Sequence, residues 1–577
     1  MESGVTAAPA ADIEDPRLRL SLARLTVSDG TPVDIPVGGV VLFVGPNNAG
    51  KSQALRDIYQ QLFQPSPQAP VVVPHIEVHR VGGEAAVRRW LAEHAFPHSA
   101  PGNPEPQYLR NGQGLFPNQA VAWWGQGPPF QSLAPMLAFL ATADQRLNLV
   151  ASTTSYDPFT QPPSTPLQTL YAREDLERRL SDAAYDAFGT RLTVNRAAGP
   201  NLHLQVGTTD ETPLPTNPAY QQALAEMPHV HGQGDGMKSL VGLMLALVNP
   251  GHQVILVDEP EAFLHPPQAR LLGRLLARDH REDTQLFIGT HSADVVEGFL
   301  DASTQVTIVR LERAGTVNHA AVLEPERVLE LGRDPLLRYS SILEGLFHAG
   351  VVLCEADSDC RFCQATLDSA LSRGNKRPHD LLFTHCGGKH RMASVVKALR
   401  MVDVPVRVVA DLDVLNEQGV LRGIIEALDG DWSDFEADWR VLDAQVRQLG
   451  GPPLLSSVEE QVREVFAEAD EERLTPGVTE KIRALTKIEG GWSRVRATGG
   501  AQAFPPGEAT QAGERLLEAL GDLGLHVVPV GQLEDWGRDI AGHGRMWVTK
   551  ALEQGVHNRE DGHVDFVLKL AAALESR

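Results

Sequence analysis

Cysteine is scarce. Only Cys354, Cys360, Cys363 and Cys386 occur in 577 residues, and all lie within one 33-residue window. In a cytosolic chain they should be reduced. Cys360-x-x-Cys363 has no second pair at a standard zinc spacing, so reduced thiols are expected rather than a zinc site. Long apolar runs are missing as well. Stretches such as Leu240–Val248 fall far short of the roughly 20 residues that span a bilayer, so no membrane partner is expected. The opening MESGVTAAPAADIEDPR has no basic segment leading into an apolar one. A secretion signal is therefore not expected, and the cytoplasm is the expected compartment. Positive charge is short: the net charge is −23. That excludes a nucleic-acid coat held by overall charge; any nucleic-acid contact must be a local basic groove or be bridged by metal ions. Lysine is rare, nine against 42 arginines, so each lysine is informative. No fixed-period repeat and no sustained heptads occur.

What is present is ordinary for a folded chain: 42% hydrophobic and 22% charged residues, over a length that suggests two to four domains. After a leader, an alternating segment from Leu18 and the β-branched run Val40–Val44 read as strands, followed by a helix to about Leu62. Residues 64–165 are rich in Pro, Gly and Gln and suggest loops and short helices, an arm or lid. A helix over 167–188, a hairpin over 192–206 and an apolar helix from Met237 follow. Val254–Glu259 and Gln285–His291 read as buried strands. The pattern restarts near residue 340, with strands at 351–355, 381–385, 406–411 and 525–530 and helices over 425–520. Strands alternating with helices mean an α/β chain with mainly parallel sheets.

Gly45-Pro-Asn47-Asn48-Ala-Gly50-Lys51-Ser52 fits the phosphate-binding loop pattern, between a strand and a helix. The glycines let backbone N–H groups face phosphate oxygens, with the helix N-terminus behind them. Lys51 would neutralise the β- and γ-phosphates, and the Ser52 hydroxyl would hold Mg²⁺. Asp258, at the end of an apolar strand, can hold the hydrated Mg²⁺, and Glu259 can polarise the attacking water.

With these residues in place, Asp258-Glu-Pro-Glu-Ala-Phe-Leu-His265-Pro266 resembles the Walker B region of ABC-type ATPases of the DNA-repair group (RecF, SMC and OLD relatives). Thr290-His291-Ser292 resembles their switch histidine. Gly232-Gln-Gly-Asp-Gly236 stands where their signature loop would be, though it departs from the L-S-G-G-Q wording. The resemblance implies ATP held between two heads, with Gly234, Asp235 and Gly236 against the other subunit's nucleotide. About 185 residues separate Lys51 from Gly236, too few for SMC-type coiled coils.

The later half carries Glu355-x3-Asp359 after one strand and Asp411-x-Asp413 after another. An acid at a strand end and another in the first helical turn can face one point, and alternate residues of an extended pair share a side. Carboxylates gathered so would repel one another unless they cage Mg²⁺ or Mn²⁺; otherwise they are helix caps or solvated turns. The order resembles the TOPRIM fold of topoisomerases, primases and OLD-type nucleases, with Ala356 where that family usually has Gly. His385-Cys-Gly387-Gly388-Lys389 resembles its glycine turn. By the same likeness Glu534, in Gly531-Gln-Leu-Glu534-Asp535-Trp536, is a further metal ligand, and Lys550 is the late lysine that would steady the scissile phosphate.

An ABC-type ATPase followed by TOPRIM is the layout of the OLD family, which includes the nuclease subunit of the Gabija antiphage system. The resemblance implies an ATPase domain over 1–340, with 64–230 as an inserted arm and dimerisation region. A Rossmann-like TOPRIM domain over 341–577 would follow, with a helical insertion over 425–520. It implies an ATP-binding, Mg²⁺- or Mn²⁺-dependent DNA endonuclease in prokaryotic defence. Glu259, His291 and Lys550 would be catalytic. The heads would form a homodimer, a tetramer or a helicase partner being further options. Arg361, Arg377, Arg391 and Arg407 are candidates for a DNA groove. Three other readings stay open: a repair ATPase whose TOPRIM domain binds DNA without cutting, an ATP sensor that recruits a helicase, and a strand passer. The last is disfavoured because none of the seven tyrosines has an obvious nucleophile setting.

Overall fold

The computed structural model describes residues 17–64, 69–99, 105–110, 113–214, 216–248, 251–302, 305–333, 341–375, 379–450, 455–467, 475–485 and 490–575. Arg377 lies outside the described residues. The chain forms two units, Met1–Phe347 and His348–Arg577.

The first unit is built on a six-stranded sheet. Its flanking strands are Arg19–Thr26 (β1), Pro32–Asp34 (β2) and His75–Val81 (β4), which make a separate antiparallel sheet in the order β2-β1-β4. The main sheet holds Val40–Val44 (β3), Ala138–Ala141 (β5), Val254–Asp258 (β6), Gln285–Gly289 (β7), Val306–Ala314 (β8) and Val317–Leu323 (β9). Its order is β9-β8-β3-β7-β6-β5, parallel except for the edge strand β9. Strands β3 and β7 are buried along their whole length, as parallel strands covered on both faces must be. Residues 138–141, inside the stretch expected to form an arm or lid, supply the other edge strand, β5.

Helix α1 (Lys51–Phe63) follows β3 and buries Ala54, Leu55, Ile58 and Leu62 on one face. Helix α2 (Ala143–Leu149) follows β5, and α3 (Asp235–Val248) buries every residue from Ser239 to Leu247. A helix apolar all round belongs in a core. Strand pairing sets Phe43 opposite Gly289 and Gly289 opposite Asp258, with Val257 opposite Ala141. The ends of β3, β7, β6 and β5 therefore form one row, where open parallel sheets bind ligands.

The second unit has a four-stranded parallel sheet: Gly350–Cys354 (β10), Leu381–His385 (β11), Val406–Ala410 (β12) and Leu525–Val527 (β13), in the order β11-β10-β12-β13. Helix α4 (Asp357–Arg373) follows β10 and α5 (Met392–Met401) follows β11. Between β12 and β13 the described chain is helical and includes α6 (Gly491–Thr498). Helix α7 (Arg545–Glu553) comes after β13. Cys354, Cys360, Cys363 and Cys386 are free and buried. Hydrogen bonding with Cys360 and Cys363, and then burial, push the Cys354 thiol upward, which makes it inert.

Candidate functional site

In the first unit, the loop from Gly45 to Gly50 leaves β3 at φ +138 and enters α1 at φ +95. A Cβ on Gly45 would lie 2.1 Å from the Leu311 carbonyl oxygen, and one on Gly50 would lie 2.8 Å from Val72. Only glycine fits both places. Asn47 and Asn48 are exposed at the loop tip, Asn48 at φ +63. The Lys51 ammonium donates to the Gly45 and Pro46 carbonyls at 2.8 and 2.9 Å, so it lies folded over its own loop. Ser52 Oγ donates to Asp258 Oδ1 at 2.8 Å. The two oxygens expected to hold Mg²⁺ thus come together from residues 206 apart in sequence.

Glu259 has φ +47, unusual for a residue with a side chain. Its N–H donates to Gly289 O at 2.8 Å, and its carboxylate is half exposed, 3.8 Å from His291 Nδ1. His291 Nδ1 lies closer, 3.1 Å, to Glu261 Oε1. Glu261 is buried and also accepts from Thr290 Oγ1 and the His291 N–H, both at 2.8 Å. Burial raises its carboxyl, and the bonds from His291 and Thr290 pull the other way. Sequence reasoning assigned no role to Glu261, although it stands two residues after Glu259. It also overlooked Arg146, whose guanidinium is buried and donates to Asp258 O at 2.6 Å and Glu259 O at 2.9 Å.

Gly234 and Asp235 are exposed, and Asp235 pairs with Lys238 at 2.6 Å. Gly236 packs against the loop after β6: a Cβ there would lie 2.7 Å from Phe263 O.

In the second unit, Glu355 follows β10, Asp411 and Asp413 follow β12, Asp359 stands in the first turn of α4, and Glu534 follows β13. These five share one end of the sheet. Burial raises Asp411 to about 8, reinforced by Asp359, Glu355, Asp413 and Glu534. Burial, then Asp413, raises Glu355; burial, reinforced by the charge of Glu534, raises Asp359. Glu355 Oε2 and Asp413 Oδ1 are buried with no hydrogen-bond partner. Desolvated, like-charged and partly unbonded oxygens fit a hard divalent cation.

The ready-made cage expected from sequence is nevertheless absent. Among the described residues no three His, Cys, Asp or Glu side chains stand together as an ion-holding group. Three of the five are held by other bonds. Asp359 Oδ2 caps its own helix by accepting the Ala356 N–H at 2.9 Å. Glu534 Oε1 accepts the Gly544 N–H at 2.7 Å and meets His543 at 2.7 Å. Asp413 Oδ2 is held by Lys389 at 3.0 Å and lies 3.6 Å from Arg496 of α6.

The lysine expectation also changes. Lys550, on α7, is exposed and donates to Ala541 O at 2.9 Å; it forms no ion pair with the five carboxylates. Lys389 stands there instead, bonded to Asp413 and, at 2.9 Å, to Glu417. Burial lowers its ammonium, and the bonds to Glu417 and Asp413 more than offset that. Of the arginines proposed for a groove, Arg391 is exposed after the Gly387-Gly388 turn, Arg361 pairs with Asp357 at 2.8 Å, and Arg407 is turned to the Ala573 carbonyl at 2.9 Å. Arg496 carried no signal in the sequence, since its role depends on where α6 docks.

The phosphate loop, the Ser52–Asp258 pair and the Glu259–His291 pair at one row of strand ends define a P-loop ATPase of ABC type, a class that takes ATP with Mg²⁺. Residues 222–297 match the family model described as an AAA domain, putative AbiEii toxin, type IV toxin–antitoxin system. No curated protein matches the chain. Solved structures with some likeness include SMC heads. One bound to the C-winged helix domain of ScpA is 14% identical, over 54% of this chain and 99% of that one, with a TM-score of 0.32. The head domain from Thermotoga maritima is 16% identical over 53% and 99%, TM-score 0.27. The Pyrococcus furiosus head with an extended coiled coil, bound to the C-terminal domain of ScpA, is 11% identical over 54% and 98%, TM-score 0.30. Likeness at these scores adds nothing to the class, which rests on the residues above. No helix among the described residues is long and apolar enough to cross a membrane.

Proposed function

We propose that this chain is an ATP-binding, divalent-metal-dependent DNA endonuclease of OLD type, an ATPase head followed by a TOPRIM nuclease domain with a helical insertion. The observation that supports it most is the gathering of Glu355, Asp359, Asp411, Asp413 and Glu534 at one sheet end, with Asp411 raised to about 8. Those carboxylates are the residues that would hold Mg²⁺ or Mn²⁺. Bound there, such ions supply an activated water and steady a leaving phosphate oxygen. Lys389, rather than Lys550, is the cation beside that centre, placed to orient Asp413 and to face a phosphate. In the head, Lys51 and Ser52 bind nucleotide, Asp258 holds its Mg²⁺, Glu259 accepts a proton from water, and His291 orients Glu259. Two heads would close on ATP, with Gly234, Asp235 and Gly236 meeting the partner's nucleotide; a tetramer or a helicase partner would extend that assembly. The toxin–antitoxin wording of the matched family model is in keeping with a role in defence against phage or plasmids.

The test is a supercoiled plasmid incubated with Mg²⁺ or Mn²⁺, with and without ATP. Cutting or nicking is expected, lost in Asp411→Ala and altered in its ATP response by Lys51→Ala. If Asp411→Ala cuts as well as the parent, the nuclease reading fails. One observation favours a second reading, a repair ATPase or ATP-sensing regulator that binds DNA without cutting it: three of the five carboxylates, Asp359, Asp413 and Glu534, are taken up by backbone N–H groups or by cations, and no three of the described acids form an ion-holding group. Retention of plasmid in a gel shift, with no cleavage in either metal, would select it.

A further inference from the structure

Arg146 is fully buried, yet among the described residues its hydrogen bonds go to no carboxylate. A guanidinium out of water normally needs an ion pair. Here every nitrogen is spent on neutral acceptors instead. Nε donates to Ser239 Oγ at 3.2 Å, Nη1 to Ala141 O at 3.0 Å and Asp258 O at 2.6 Å, and Nη2 to Glu259 O at 2.9 Å. Its counter-charges, Glu261, Asp258 and Glu259, act from a distance. One side chain thus ties together three elements: the end of β5, the second turn of α3 and the end of β6.

Two further facts give that junction a direction. Glu259 sits at φ +47, a strained conformation that persists only when its surroundings hold it. The Arg146 bond to Glu259 O and the Glu259 N–H bond to Gly289 O grip the strained peptide from both sides. Helix α3 in turn lies directly on α2: a Cβ on Gly242 would sit 2.0 Å from Arg146 O. Ser239 is three residues after Gly236, so the glycine loop, α3 and Arg146 are mechanically continuous.

We infer that Arg146 is a positioning residue that fixes the backbone of Glu259 for water activation and registers it to the glycine loop through Ser239. This rests on the ATPase reading of the head. A shift of α3 moves the Arg146 fork, and the fork moves the peptide from which the Glu259 carboxylate hangs. Nucleotide contacts of the phosphate loop do not pass through it.

The experiment compares the full chain with Arg146→Lys, Ser239→Ala and Lys51→Ala, measuring MgATP hydrolysis and the Kd of a fluorescent ATP analogue. Misplacing a reacting group by about 1 Å costs on the order of 10²-fold, so Arg146→Lys is expected to lose that much kcat. Its Kd and KM should stay within about twofold, the pattern of an interaction realised beyond ground-state binding. Ser239→Ala, which removes only the link to α3, should lower kcat several-fold with Kd unchanged, and it decides the matter if Arg146→Lys does not fold. Hydrolysis that survives both substitutions, or a fall in kcat matched by an equal loss of nucleotide affinity, overturns the inference while leaving the ATPase reading intact. A parent chain with no hydrolysis above Lys51→Ala overturns both.

Discussion

Glu261 holds the His291 N–H and the Thr290 hydroxyl on one oxygen, inside the protein. Glu261→Ala leaves both donors without a partner, so a loss of about 2–3 kcal/mol in chemical denaturation is expected. The histidine should also lose its orientation, lowering ATP hydrolysis. Another residue carries a pH signature. Burial, with Arg407 nearby, lowers His526 to about 4 from 6.5. The folded state therefore prefers the neutral ring. Below pH 6.5 the unfolded chain takes up a proton that the folded chain refuses, until pH nears 4. Stability should fall by about 2–3 kcal/mol across that window. In His526→Phe, which keeps an aromatic ring beside Phe566, that part of the slope should vanish; an unchanged slope would place the acid sensitivity elsewhere.

At the scale of elements, the phosphate loop is set by close backbone approach rather than by side-chain chemistry. Gly45→Ala would drive a methyl into the Leu311 carbonyl of β8, so the loop must leave its seat. Nucleotide binding is expected to disappear, read by the fluorescent analogue, with a melting temperature lowered by several degrees. In the second unit the comparison is between two lysines on different elements. Lys389, in the turn after β11, bonds Asp413; Lys550, on α7, bonds a carbonyl nine residues back. Lys389→Ala should reduce plasmid cleavage far more than Lys550→Ala, and equal losses would restore the late lysine to the site.

Across the whole molecule, each unit has its own apolar core, and under the proposed function each takes its own ligand. A ligand that binds only the folded state stabilises by mass action. MgATP should raise the melting temperature of one transition and Mn²⁺, without nucleotide, that of another. Lys51→Ala should cancel the first shift and Asp411→Ala the second, each leaving the other in place.

The parts legible in the sequence were those whose chemistry is contiguous. Gly45 to Ser52, Asp258-Glu259 and Thr290-His291 each sit on a few consecutive residues between a strand and a helix, so spacing and residue type were enough to expect a nucleotide site and its α/β setting. The acids at strand ends were legible for the same reason. What only the tertiary structure decided depends on which strands are neighbours. The order β9-β8-β3-β7-β6-β5 brings Ala141 beside Val257, and from there Arg146 reaches Asp258 and Glu259 across more than a hundred residues of chain. No local pattern encodes that meeting. Nor could spacing show that Asp359 and Glu534 would bond nearby N–H groups, or that Lys389 rather than Lys550 would stand at Asp413. A buried polar group takes the partner that packing places within about 3 Å of it, and sheet order, not sequence distance, chooses that partner.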